Sequence, residues 1–239
     1  MSKKIKNSHV LIICPGYSIK THYDKIKQFI KDKDVVTIGC SYITNFFIPD
    51  YHFWADKRRY RQYGKDISKK SKMIFGQYLD KKLIRRHWKG TYEIMKYTKR
   101  KWKKSYESPD SFKYGMGEAK YDSKTKIFSG VLRTTGSLAI FWVYIKQASK
   151  ISIVGMDGYT LYSKDSLQKK EKSQHCLGKG FTATRNNAHG TSNIDKFYKF
   201  CKKEDEDVYK ILNYMKRYGV KFEIITDTVY KDFHNPIIS

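Results

Sequence analysis

Residues 9–14 read HVLIIC, a nearly unbroken run of aliphatic and β-branched side chains, and Pro15-Gly16-Tyr17 follows at once. A strand that is apolar on successive residues has both faces buried, as in a parallel sheet covered by helices on either side. After the turn, Ile19, Tyr23, Ile26 and Ile30 recur at helical spacing, and Ser18 stands where an N-cap is expected. Residues 34–39 (DVVTIG) then read as a second buried strand. Strand, glycine turn, helix and strand make a βαβ unit, whose crossover is right-handed in almost all sheets.

The alternation continues along the chain. Residues 51–55 (YHFWA), 73–78 (MIFGQY), 151–155 (ISIVG) and 220–226 (VKFEIIT) are strand-like, and 134–149 contains LAIFWVYI, the content of a buried helix. Four acids, Glu204 to Asp207, are expected to open a last helix and complement its dipole, with Val208, Ile211, Leu212 and Met215 on its buried face and Gly219 at its end. With 239 residues and 40% hydrophobic content, the chain has the size and apolar material of one folded domain. The expected class is α/β: a single Rossmann-like domain over 1–239, with a mostly parallel sheet flanked by helices and a lid-like loop.

Two segments stand apart from this pattern. Residues 81–104 carry 11 Lys and Arg against one Glu, interleaved with Trp88, Tyr92, Tyr97 and Trp102. They are expected as a basic aromatic insert, able to stack bases and hold phosphates, to lie on anionic lipid, or to form an amphipathic helix whose rings join the core. Residues 160–190 are polar and rich in Lys and Gly, and are expected to form a lid.

Forty-nine Lys and Arg against 23 Asp and Glu give a formal charge of +26, which points to an anionic partner: a nucleotide, a phosphorylated glycan, a nucleic acid or a membrane surface. The four cysteines are scattered without a CxxC and read as buried thiols; His175, Cys176, His189 and Cys201 match no metal-ligand spacing, and no metal or cofactor is assigned. The short apolar run at the start reads as a first strand rather than a signal peptide, and no stretch is long and apolar enough to span a bilayer. A cytoplasmic protein, peripheral at the inner membrane face, is expected.

Chemistry is expected where strands end, because open parallel sheets bind ligands beyond the carboxyl ends of their strands. Gly16 lets the backbone approach a ligand, and the helix opening near Ser18 attracts phosphate. Thr134-Thr135-Gly136-Ser137 is a second hydroxyl- and glycine-rich helix start. After the next strand comes Gly155-Met156-Asp157-Gly158-Tyr159.

These three motifs, in this order and with 19 residues between Gly136 and Gly155, resemble the small bacterial CMP-sialic acid sialyltransferases of lipooligosaccharide synthesis and the broader MptE-like group that shares their fold. The resemblance implies that Gly16 and Ser18 line a nucleotide site and that Thr135 and Gly136, with Thr134 beside them, hold the phosphate and donor; Asp157, at a strand's carboxyl end, and Ser41, after the second strand, are expected to contribute to binding. It further implies that Tyr159, with Tyr162 nearby, stabilises the leaving phosphate, and that His189, just after the lid, is the general base, with His175 in reserve. No metal is needed in that chemistry. Pro15 and Ser41 stand where the family has asparagines, which bears on base and sugar preference.

The expected function is transfer of a sugar, CMP-activated and acidic, from a nucleotide donor to a cell-surface glycan of lipopolysaccharide or capsule type, with inversion. The alternatives are an MptE-like diphosphokinase using Mg²⁺ on Asp157 and Asp56, and a protein directed to nucleic acid by its charge. Self-association is left open.

Overall fold

The computed structural model describes residues 4–98, 120–122, 124, 127–129, 134–177, 193–217 and 219–238. Its frame is one sheet of nine strands: β1 (His9–Ile13), β2 (Val36–Cys40), β3 (Tyr51–Trp54), β4 (Lys72–Gly76), β5 (Tyr92–Thr98), β6 (Lys120–Asp122), β7 (Ile127–Ser129), β8 (Lys150–Val154) and β9 (Glu223–Ile224). Across the sheet they run β6-β7-β5-β4-β3-β2-β1-β8-β9. Every neighbouring pair is parallel except β6 with β7. This is the α/β, Rossmann-like architecture expected from the sequence.

The apolar runs divide their side chains between two cores, as the two-residue period of a strand requires. Val10, Ile12 and Cys14 join Val36, Ile38 and Cys40 on one face, beneath α5 (Thr135–Ile145) and α7 (Ile194–Arg217). Leu11 and Ile13 face the other side, where α1 (Ser18–Thr21) and α2 (Tyr23–Lys33) supply Ile19, Ile26 and Phe29. Helix α5 is buried from Gly136 to Val143, because it is wedged between the sheet and α7 and has no polar stripe to offer water. A third cluster packs α3 (Lys57–Tyr63) and α4 (Lys81–His87) on Trp54, Met73 and Phe75.

Several sequence expectations are corrected. The first helix is broken at His22 into α1 and α2. Ser18 is not its cap but its first residue; its hydroxyl points away from the helix N–H groups and donates to Asp157. Over its described part, the basic stretch 81–104 is neither an excursion nor one helix: it supplies α4 and then β5, which pairs in parallel with β4. Residues 160–177 contain α6 (Lys164–Gln168). The four acids 204–207 lie in the middle of α7, with Asp205 and Asp207 buried, and the final strand shortens to two residues.

The sheet order fixes where ligands can enter. From β1 the chain builds outward through β2, β3, β4 and β5, then returns through α5 to set β8 on the opposite side of β1. The connections leaving β1 and β8 therefore diverge and open a crevice between them, the switch point of the sheet.

Candidate functional site

A cleft of about 660 Å³ opens at that switch point, a volume suited to a small-molecule ligand. Cys14, Pro15 and Gly16 after β1 and Gly155 to Tyr159 after β8 border it, with Thr134, Thr135 and Gly136 at the start of α5. Ser41 and Tyr42 after β2, Asp56 to Arg59 after β3, and Gln174 and His175 complete much of the wall. Of the residues singled out in the sequence, Gly16, Ser41, Thr134, Thr135, Gly136, Asp157, Tyr159 and His175 thus come together at one place.

Close approach explains the glycines. The Gly16 N–H donates to the Gly155 carbonyl at 2.9 Å. A Cβ on Gly16 would stand 2.3 Å from that oxygen and 2.6 Å from the Asp157 carboxyl carbon. Gly155 has φ +70°, and its Cβ would lie 2.1 Å from the Cys14 carbonyl oxygen. Only residues without a side chain let the two turns interlock.

Helix α5 rests on this pair. A Cβ on Gly136 would meet Met156 Cε at 2.8 Å and Cys14 Sγ at 2.9 Å. Thr134 closes a reciprocal cap, its Oγ1 accepting from the Ser137 N–H at 3.1 Å while its own N–H donates to Ser137 Oγ at 3.2 Å. In the first turn of α5 the N–H groups of Thr135 and Gly136 have no intrahelical acceptor, and the helix dipole favours an anionic ligand there. Ser41 joins the same corner: its Oγ contacts Thr135 Oγ1 at 3.3 Å, and its φ of +56° turns Tyr42 into the wall. His52, fully buried on β3, holds that turn by donating from Nε2 to the Ser41 carbonyl; burial lowers its pKa to about 4, so the ring is neutral.

Asp157 fastens the two turns. It is 2% exposed, and both carboxyl oxygens meet Ser18, one accepting from the Ser18 N–H at 2.7 Å and the other from its hydroxyl, which also lies 3.2 Å from Thr226 Oγ1. Burial raises the Asp157 pKa to about 7 against the opposing pull of the Ser18 hydrogen bonds. Ser18 itself is wholly buried and reaches the cleft only through Asp157.

Tyr159 is set by the middle of α7. Asp205 accepts from the N–H groups of Tyr159 (2.7 Å) and Thr160 (2.8 Å), from Thr160 Oγ1 (2.6 Å) and from the Tyr230 hydroxyl (2.9 Å). The His175 ring stands edge-on to Tyr159 at 5.9 Å and to Tyr42 at 5.7 Å, bridging the two sides of the cleft. Asp205→Ala removes one acceptor from four donors and is expected to cost about 3–5 kcal/mol in urea unfolding, with Asp205→Asn milder; equal, small effects of both would show that the turn after β8 is held by other contacts.

Tyr162 goes elsewhere. Its ring packs edge-on to Tyr17 at 5.6 Å and against the small core of Leu167, Phe197 and Cys201, outside the residues bordering the cleft, and burial pushes its hydroxyl pKa up. His189 lies outside the described residues. Sequence reading passed over Tyr42 and the basic run Lys57-Arg58-Arg59; the available signal was a charged DKRR directly after the strand YHFWA, at a carboxyl end. All four cysteines are free and buried. Among the described residues, no group of three or more His, Cys, Asp and Glu is arranged to hold a metal ion, and no helix is long and apolar enough to cross a membrane.

Fold and site together define a Rossmann-like α/β protein with a ligand-sized cleft at its switch point. No family model matches the chain, and no curated protein is similar to it.

Proposed function

We propose that the protein is a glycosyltransferase that moves a sugar from a nucleotide donor to a glycan acceptor. The observation that carries this reading is the convergence, in one cleft, of the interlocked turns at Gly16 and Gly155 with the first turn of α5. That convergence offers close backbone approach and directed N–H groups to a donor phosphate. Transfer proceeds by a single displacement: the acceptor hydroxyl attacks the anomeric carbon, the bond to the phosphate oxygen breaks, and a base takes the hydroxyl proton, inverting the centre. Tyr159 donates to the departing phosphate, where negative charge grows. His189, by resemblance, is the base; His175, whose ring lies between Tyr42 and Tyr159, is its alternative.

The donor is a CMP-linked acidic sugar in this reading, and the acceptor a cell-surface glycan met at an anionic membrane face by the +26 charge. Pyrophosphate transfer is less well supported, because both carboxyl oxygens of Asp157 are engaged by Ser18 and Asp56 Oδ1 caps α3. Thermal denaturation with CMP, UDP, GDP, ATP and CMP-sugars, with and without Mg²⁺, tests the reading. A nucleotide at 100 times its Kd adds about 2.7 kcal/mol, roughly 5–10 °C for a domain of this size. Stabilisation by CMP without Mg²⁺ supports it; no response to any nucleotide, with steeply salt-dependent binding to random duplex DNA, would overturn it in favour of a nucleic-acid partner.

A further inference from the structure

At the end of β3 the chain turns sharply. The Asp56 carboxylate accepts from the N–H groups of Arg58 and Arg59, and the next three side chains, Lys57, Arg58 and Arg59, line the cleft. A few cations elsewhere are matched, Lys146 with Glu93, Lys150 with Glu223 and Lys164 with Asp195. None of the three cleft cations makes an ion pair among the described residues. Arg59 is nonetheless held in place, its guanidinium over the Tyr42 ring at 5.1 Å. That ring is 3% exposed and stacked on Tyr63 at 4.9 Å, so it cannot swing away. A guanidinium held over an aromatic ring is anchored without spending its N–H donors, which remain available to a planar or tetrahedral anion.

This cluster is displaced from the corner formed by Gly16, Gly136 and Thr135. β3 lies two strands from β1, a backbone separation of about 10 Å, and Arg59 reaches back toward Tyr42, beside β2. The cluster thus comes to the cleft from the end of β3, whereas the α5 corner adjoins β1 and, through Ser41 Oγ and Thr135 Oγ1 at 3.3 Å, the end of β2.

We infer that Lys57, Arg58 and Arg59 form a second anion-binding wall, and that the substrates carry, besides the phosphate at the α5 corner, a further phosphate group held there. The inference rests on the nucleotide-site reading and names what that reading leaves open. The group belongs to a phosphorylated glycan acceptor or to the second phosphate of a nucleoside diphosphate donor; the chemistry recognised is the same. Charge-assisted hydrogen bonds to two guanidinium groups fix its orientation as well as its affinity.

Calorimetric titration separates these sources. CMP, CDP and a sugar 1-phosphate, the last with and without saturating CMP, are titrated into the wild type, Arg58→Gln/Arg59→Gln, Arg59→Lys, and a Lys65→Gln/Lys69→Gln control on exposed lysines outside the cleft. The expected result is sugar phosphate binding on top of CMP, weakened roughly tenfold or more by the double Arg variant. Arg59→Lys should weaken it to a lesser degree, and the control should not change it. CDP binding tighter than CMP with the same Arg dependence assigns the wall to a diphosphate donor instead. If CMP binds but neither CDP nor sugar phosphate distinguishes wild type from the double variant, the wall is overturned and the nucleotide site stands. If no nucleotide binds the wild type, the reading beneath it falls; Arg-dependent binding of sugar phosphate alone then still supports the wall, and its absence overturns it.

Discussion

Gly155→Ala is expected to lower stability by about 3–5 kcal/mol, enough to drop the melting temperature by roughly 10 °C or more. Two costs combine. A left-handed backbone at φ +70° strains any residue with a Cβ, by about 1 kcal/mol for alanine. The new carbon also falls 2.1 Å from the Cys14 carbonyl oxygen and 2.6 Å from Ile19 Cγ2. Neither neighbour can yield, because Cys14 is hydrogen-bonded to the β8 end through its N–H and the Val154 carbonyl at 2.8 Å, and Ile19 is fully buried. Gly219→Ala separates the two costs: its φ is +79°, yet its Cβ would meet nothing within 4 Å, so strain alone remains, about 1 kcal/mol. Equal melting temperatures for the two variants would show that the turns after β1 and β8 do not interlock.

The second large effect is on the pH dependence of stability. The Asp157 carboxyl keeps its proton to about pH 7 in the folded protein, because burial penalises its charged form, while in the unfolded chain it releases it near 3.8. Between those values the native state binds more protons than the unfolded state, so this group's contribution falls as pH rises through the window and is level above and below it. At about 1.4 kcal/mol per unit over roughly three units, the loss amounts to on the order of 4 kcal/mol. Asp157→Asn keeps an acceptor for the Ser18 N–H and abolishes the titration. Urea denaturation from pH 4 to 8 should therefore show the wild type losing stability relative to the variant up to about pH 7. A flat difference curve would mean that Asp157 is ionised in the folded protein across the range. Because Asp157 and Ser18 tie the two cleft turns together, ligand affinity is expected to follow the same pH dependence.

What was legible in the sequence follows from how strongly each element depends on its own residues. β1, β2, β8 and α5 announce themselves because they are buried on every side and have no polar face to blur the pattern. β5 was hidden. Its YEIMKYT alternates, with Met95 and Tyr97 in the core beneath α5 and Tyr92 and Ile94 against the cluster of α3 and α4, inside a stretch whose charge drew attention away from its period. The acids 204–207 misled for a related reason: dipole complementarity is a weak local preference, and α7 instead begins ten residues earlier and uses Asp205 in its middle to bind the backbone after β8.

Within the site, the sequence by itself determined the glycines and hydroxyls at strand ends, since a turn that touches another turn tolerates no Cβ and a helix start needs a cap. The tertiary structure alone decided which of these residues meet. Strand order set β8 beside β1 and so joined Gly16 to Gly155, Ser18 to Asp157 and α5 to both. It also carried Arg59 onto Tyr42 and His175 between Tyr42 and Tyr159, and sent Tyr162 away to a separate core. The physical reason is range. Burial pattern, turn chemistry and capping act over a few residues along the chain, whereas the pairing of strands far apart in sequence depends on how the whole apolar surface is covered at once.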